Sequence, residues 1–212
     1  MKLLSKEELK IAVAAFLTSS LVCAAQFPAH ECGHYVGGWL VGARDLEMDY
    51  FSVKTDQIEK FAMYKRVIFT LGGLSVTHLI IIAGLSLSEN SENKSLTARL
   101  VGSSMTINAI KAPLGMLSVY YTLLIQKKKL PGKSDVDEIM LAKKLKLPPL
   151  LVWLVESLLD VILLRRGLRY LPGHKISTFI SCFCGYIFGT IVYMSVVGPV
   201  ILPDSDFKQK KD

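Results

Sequence analysis

Hydrophobic residues along this chain are gathered into long runs, and most charged residues lie in the gaps between the runs. The first run, over residues 11–29, contains no charged residue. A helix needs about 20 residues to cross the hydrocarbon core of a bilayer, so a run of this length predicts a membrane-spanning helix. Three further runs of comparable length cover residues 67–88, 100–126 and 176–202. The pattern therefore predicts an integral membrane protein.

A shorter apolar segment over residues 148–164 is barely long enough to cross a bilayer, and it contains two acidic residues. We expect it either to cross the membrane or to enter it and lie against the other helices. Together the segments predict an all-α polytopic membrane protein, a helical bundle of about four to six membrane segments. The expected organisation is one domain, with a membrane core over residues 1–147, further membrane helices over residues 148–203 and a polar tail over residues 204–212.

Composition and charge agree with a membrane location. The chain has 212 residues, of which 51% are hydrophobic and 20% are charged, against about 25% charged in an average soluble domain. The net charge of +7 would suggest a nucleic-acid partner in a soluble protein. Here the basic residues lie beside the apolar runs, where they are typical of topology signals and of contacts with lipid headgroups. We therefore expect the lipid bilayer as a partner, and no nucleic acid. The four cysteines lie in or beside apolar segments and are expected to be unpaired.

Charge near the ends of the runs bears on orientation. Residues 44–66 and 127–146 are rich in Lys and Arg and fall on the same side, which the positive-inside rule assigns to the cytoplasm. Lys2, Lys6 and Lys10 favour a cytoplasmic amino terminus instead, so the orientation stays open. Lysines before an apolar run are also typical of a cleaved signal peptide, an alternative that would remove the first membrane helix.

The strongest chemical signal is the motif His30-Glu31-Cys32-Gly33-His34, just after the first run. On a helix, residues i and i+4 lie on the same face, so the two histidines can bind one zinc ion. Glu31 would then lie beside the open coordination position, where it can take a proton from a zinc-bound water and later return it to a leaving amine. Ordinary surface or core histidines would explain such a motif in a soluble chain, but ionisable residues in a membrane helix indicate a functional site. The motif predicts a zinc hydrolase.

A zinc hydrolase needs a third protein ligand, and two acidic stretches are candidates. Asp135 and Asp137 follow a Pro-Gly pair and open a helical pattern, a position that is also typical of ordinary helix capping. Glu156 and Asp160 lie on one helical face inside an apolar segment, where a partly buried acid pair facing an arginine is the simpler interpretation. From the residues alone, the choice stays open.

Several stretches in a shared order resemble the site-2 protease family of intramembrane zinc metalloproteases. After the zinc motif, residues 40–53 are similar to the family's turn into a strand-like segment. Residues 71–75, Leu-Gly-Gly-Leu-Ser, are similar to its small-residue motif, with Leu74 in place of a usual proline. The family's aspartate ligand follows a Pro-containing turn, and Asp135 occupies that place, with Val136 instead of the usual glycine.

The resemblance implies an enzyme, a zinc metalloendopeptidase that hydrolyses a peptide bond in or near a transmembrane segment of a membrane protein substrate. It implies that His30 and His34 bind Zn²⁺. Asp135 would be the third ligand, with Asp137 as the alternative. Glu31 would be the catalytic residue, first as a base and then as an acid.

Substrate contacts are also implied. The strand-like segment would pair with an unwound substrate, which gives Phe51 and Val53 a binding role. Asn108 would position the substrate backbone or stabilise an oxyanion, although a lone membrane asparagine more often bonds a neighbouring helix. His78 is expected to bond a neighbouring helix rather than a metal.

Two other functions stay open. One is the family of heat-shock and prenyl-protein membrane metalloproteases, in which a downstream Glu-x-x-x-Asp helix supplies a glutamate ligand, as Glu156 would here. The other is a membrane scaffold without catalytic activity, which the complete motif argues against. The expected location is an integral, multi-pass protein of the cell membrane. The sequence indicates neither the substrate nor the oligomeric state.

Overall fold

The computed structural model of the chain describes residues 4–49, 52–92, 95–114 and 137–201, and most of them are helical. The long helices are α1 (Lys6–Leu40), α2 (Met63–Asn90), α3 (Leu96–Thr106), α4 (Asp137–Leu145), α5 (Pro149–Gly167) and α6 (Lys175–Val192). Short 3-10 helices cover Ile58–Lys60, Ile107–Ile110 and Leu168–Tyr170. After α6 come a π-helical turn (Tyr193–Val197) and a last helix, α7 (Gly198–Ile201). The two strands are β1 (Glu47–Met48) and β2 (Val53–Lys54).

Helix α1 carries the histidine motif of residues 30–34 and has well-defined ends. Its first turn forms a capping box, in which the Ser5 hydroxyl accepts from the Glu8 N–H and the Glu8 carboxylate accepts from the Ser5 N–H. The helix continues through Pro28 and the histidine motif. It ends before Gly42, whose φ of +88° lies in the left-handed region that glycine adopts without strain.

Three helices are long and apolar enough to cross a membrane: α1, α2 and the helix over Lys175–Val200. They expose large apolar side chains, such as Leu21, Leu79 and Ile180, as helices that face lipid do. Of the four long apolar runs, those over residues 11–29, 67–88 and 176–202 are thus confirmed as membrane-length helices. The run over residues 100–126 lies outside the described residues from residue 115 onwards. Helix α5 is not among the three, so in the described part of the chain the structure supports three of the four to six predicted segments.

Small residues allow α1 to pack closely against its two main neighbours, α6 and α2. At the α6 side, the Ser19 hydroxyl donates to the Cys182 carbonyl (2.7 Å), and a side chain at Gly185 would overlap with the Phe16 carbonyl. At the α2 side, Gly33 lies directly against Gly72. Membrane helices without a hydrophobic driving force between them associate through such close contacts.

The strand-like segment predicted after α1 is a short antiparallel hairpin. Strand β1 pairs with β2 so that Met48 lies opposite Val53. Asp45, before β1, joins the two ends of the hairpin. Its carboxylate accepts hydrogen bonds from the Thr55 hydroxyl (2.6 Å) and from the Asp56 N–H (2.8 Å), just after β2. The hydrogen bond from Thr55, helped by that from Asp56, holds the pKa of the Asp45 carboxyl below its ordinary value. The hairpin thereby has a defined position beside α1.

Candidate metal centre

Three ligand atoms meet where α1 faces the first residue of α4. His30 Nε2 lies 3.0 Å and His34 Nε2 lies 3.1 Å from Asp137 Oδ2, and the two Nε2 atoms are 3.2 Å apart. The side chains of His30, His34 and Asp137 are 14%, 7% and 13% exposed. The histidines thus share one face of α1, and a carboxylate completes a group of the size that holds a metal ion.

The hydrogen bonds of the two imidazoles fit a metal between them. His34 Nδ1 donates to the Phe69 carbonyl (2.9 Å), because a carbonyl oxygen can only accept. His30 Nδ1 lies 2.8 Å from Thr77 Oγ1. In neutral imidazoles with Nδ1 protonated, both Nε2 atoms carry lone pairs, and both face the acceptor Asp137 Oδ2. A cation between these atoms would remove their mutual repulsion. Two imidazoles with one carboxylate are a donor set that zinc accepts, with a fourth coordination position left open.

Helix α4 brings Asp137 to the histidines. The Lys144 ammonium, on the last turn of α4, donates to the Thr70 hydroxyl (2.5 Å) and to the Arg66 carbonyl (3.1 Å) of α2. As a carboxylate, Asp137 would bind a cation placed between it and the two imidazoles.

The acid that the sequence favoured as third ligand, Asp135, lies outside the described residues, so its role stays a prediction. Asp137, which the sequence kept as the alternative, is the acid beside the histidines. The other candidate pair, Glu156 and Asp160, groups with His78 instead. Among the described residues, Glu156 is thus not one of the ligands gathered around the zinc motif.

Two glycines of α2 make room for the motif. A methyl group at Gly72 would overlap with the Gly33 carbonyl of α1, and one at Gly73 would overlap with the His34 ring. The small-residue stretch of the sequence is thus the surface against which the histidine helix packs.

The group formed by His30, His34 and Asp137 opens into a cavity of about 590 Å³. The cavity reaches three other residues that the sequence singled out: Glu31, Val53 and Asn108. Glu31 is 9% exposed, and Asn108 is buried in the 3-10 helix Ile107–Ile110. Phe51 lies outside the described residues. Several apolar side chains complete the wall, namely Phe27, Phe69, Met140, Tyr186 and Met194.

Thr77 and Lys111 are among the cavity residues that were not identified from the sequence as functional. Thr77 could have been found, because it follows Gly73 by four residues and therefore lies on the same face of α2. Lys111 gave no such signal, since a lone lysine at the end of an apolar stretch also snorkels towards an interface.

The contact between Thr77 and His30 gives a first prediction. A metal-binding histidine depends on the partner of its other ring nitrogen, and loss of such a partner costs about 10- to 100-fold in metal affinity. We expect Thr77→Val to weaken zinc binding by about this factor, measured by competition with a chelator on the purified protein. Thr97→Val makes the same chemical change at an exposed position of α3 and should leave the affinity unchanged. Equal affinities of Thr77→Val and wild type would show that the hydroxyl does not orient His30.

Comparisons of the chain with protein-family models, with curated proteins and with solved structures give no match. The geometry of the site is a histidine pair and an aspartate with converging ligand atoms. Glu31 lines the same cavity, from the helix that supplies the histidines.

Proposed function

We propose that this protein is an intramembrane zinc metalloprotease, which hydrolyses a peptide bond in or near a transmembrane segment of a membrane protein. The convergence of His30, His34 and Asp137 on one point carries the proposal. Support also comes from the setting, because the histidines belong to a membrane-length helix. The resemblance of the sequence to the site-2 protease family implies the same reaction.

His30 Nε2, His34 Nε2 and Asp137 Oδ2 would hold Zn²⁺. When bound, zinc would act as a Lewis acid that polarises the scissile carbonyl and lowers the pKa of water to near neutrality. The Phe69 carbonyl and the Thr77 hydroxyl keep the two imidazoles turned towards the shared point.

Glu31 moves the proton in the proposed reaction. Its carboxylate lines the cavity beside the histidines, and it is 9% exposed. It accepts a proton from the attacking water and then donates it to the amine that leaves when the peptide bond breaks. The burial of Glu31 favours this exchange, because few bulk water molecules reach the carboxylate to compete for the proton.

The substrate must lose its helical structure before it can react, because a helix in lipid keeps its backbone groups paired. Strand β2 lines the cavity at Val53 and offers extended backbone near the scissile segment. Asn108 lies in the same cavity and would bind the substrate backbone or the oxyanion, as the sequence suggested. The apolar wall fits a substrate that comes from a membrane segment.

We also propose a multi-pass topology in the cell membrane, with α5 as a fourth membrane segment beside the three membrane-length helices. Helix α5 has 19 residues, about 28 Å at 1.5 Å per residue, which nearly equals the thickness of the hydrocarbon core. Its acidic side chains Glu156 and Asp160 face His78 of α2 rather than lipid. The partners of the protein would then be the lipid bilayer and a membrane protein substrate.

Replacement of Glu31 tests the proposed reaction. We expect Glu31→Gln to keep its zinc and to lose proteolysis by a factor of about 100 to 10,000, because the amide cannot accept the proton. Wild type and Glu31→Gln are reconstituted with solubilised membrane proteins from cells that lack the protease, and new peptide termini are identified by mass spectrometry. New termini inside or beside transmembrane segments should arise with wild type alone.

The control for this experiment is Glu89→Gln, the same change at a carboxylate of α2 that pairs with Arg166. It should give the same new termini as wild type. Identical termini with wild type and Glu31→Gln would overturn the role of Glu31. No new termini with zinc-loaded wild type would favour a metal-binding membrane protein without protease activity.

A further inference from the structure

A second cluster of metal-ligand side chains lies between α2 and α5, apart from the zinc motif. It consists of His78 on α2 and of Glu156 and Asp160 on α5, whose ligand atoms all lie within 4.8 Å of one another. Glu156 and Asp160 are four residues apart, so one face of α5 presents both carboxylates to α2. Ionisable residues at this depth of a membrane bundle are costly and indicate a function.

The contact between His78 and Asp160 brings two acceptors face to face. His78 Nδ1 donates to the Leu74 carbonyl (2.9 Å), so Nε2 of the neutral ring carries a lone pair. Nε2 lies 3.3 Å from Asp160 Oδ1. Both atoms are buried, Asp160 is 3% exposed, and neither atom makes a hydrogen bond within the described part of the chain. A positive charge is needed at this point, either a proton on Nε2 or a metal cation between the two atoms.

Geometry distinguishes a proton from a metal cation. A proton on His78 Nε2 would serve only the contact with Asp160 Oδ1. A cation between the two helices would contact all three ligand atoms, because the Glu156 carboxylate oxygen also lies within 4.8 Å of the other two. A divalent cation therefore accounts for the whole cluster.

We propose that His78, Glu156 and Asp160 form a second divalent-metal site, which joins α5 to α2. One imidazole nitrogen with two carboxylate oxygens suits a borderline metal such as Zn²⁺ better than Mg²⁺ or Ca²⁺, which favour oxygen ligands alone. The role is structural, because metal binding between two helices adds its binding free energy to the stability of their contact. The site does not depend on the proposed protease activity.

The test uses the full chain in detergent with the first site removed by His30→Ala and His34→Ala. The protein is incubated with Zn²⁺, freed of unbound metal and analysed by elemental mass spectrometry. We expect about one zinc ion per chain to remain. Addition of Asp160→Asn should remove it, and so should His78→Gln. Addition of Glu89→Gln, which removes a carboxylate from the α2 surface outside the cluster, should not.

Thermal unfolding of the same double variant gives a second readout that needs no change in the cluster. A metal between α2 and α5 makes the Tm fall when a chelator is added, whereas a protonated His78 paired with Asp160 makes the Tm insensitive to the chelator. An insensitive Tm together with no zinc in the double variant would overturn the second site. Zinc that persists after Asp160→Asn would overturn it as well. Activity of the protease enters neither measurement.

Discussion

Asp137→Asn protein, purified in detergent, is expected to bind zinc at the proposed first site far more weakly than the wild type does. The reason is direct, because Asp137 Oδ2 lies 3.0 Å and 3.1 Å from the Nε2 atoms of His30 and His34. The amide keeps the shape of the side chain but removes the negative charge and half of the oxygen donors. Loss of a group that only hydrogen-bonds a metal-binding histidine lowers metal affinity by up to about 100-fold. Loss of a ligand itself should therefore lower the affinity by more than about 100-fold. The measurement is a zinc affinity from chelator competition, with the second cluster removed by Asp160→Asn in every sample.

The matched control for this prediction is Asp135→Asn. It makes the same change two residues earlier, at the position that the resemblance to site-2 proteases favours. We expect Asp135→Asn to keep the affinity of the parent protein. Loss of zinc in Asp135→Asn with retention in Asp137→Asn would reverse the assignment. Loss in both would mean that the two acids act together at the metal.

The elements that the sequence predicted well are those set by local pattern. Helix α1 follows from an uncharged apolar run. Its two histidines lie together because residues i and i+4 share one face of any helix. The resemblance predicts a strand-like segment after α1, and the structure has the hairpin of β1 and β2 there. The sequence indicates a small-residue motif at residues 72 and 73, but only the structure shows that it allows the close approach of α1 to α2.

The details that the sequence left open depend on contacts between distant segments. Asp135 and Asp137 carry the same side chain two positions apart, so the sequence alone does not choose between them, and Asp137 reaches the histidines through the docking of α4. That docking uses Lys144 and the Thr70 hydroxyl of α2, a contact that joins residues 74 positions apart. The pairing of His78 with Asp160 is likewise a contact between α2 and α5, and each residue taken alone indicates only a membrane helix that needs a polar partner.

Two neighbouring glycines of α2 should respond to the same substitution in different ways. The atoms nearest to a methyl group at Gly73 all belong to the His34 ring, so Gly73→Ala should turn that ring away from Asp137 and from the Phe69 carbonyl. Zinc affinity should then fall by more than about 100-fold. Because the ring can rotate, the free energy of unfolding without metal should fall by only about 1 kcal/mol, the low end for overpacking.

Gly72→Ala meets the Gly33 backbone instead, which cannot move aside unless the two helices separate. We expect the free energy of unfolding without metal to fall by about 3 kcal/mol, the high end of overpacking costs. Gly33→Ala forces the same two helices apart from the side of α1. The loss in free energy of unfolding in the double variant Gly33→Ala, Gly72→Ala should therefore be smaller than the sum of the losses in the two single variants. Denaturant unfolding of the zinc-free proteins measures these differences, and Ser75→Ala at an exposed position of α2 is the control. Equal stability losses for Gly72→Ala and Gly73→Ala, or zinc binding at wild-type strength in Gly73→Ala, would contradict a site whose geometry depends on how closely α1 and α2 approach each other.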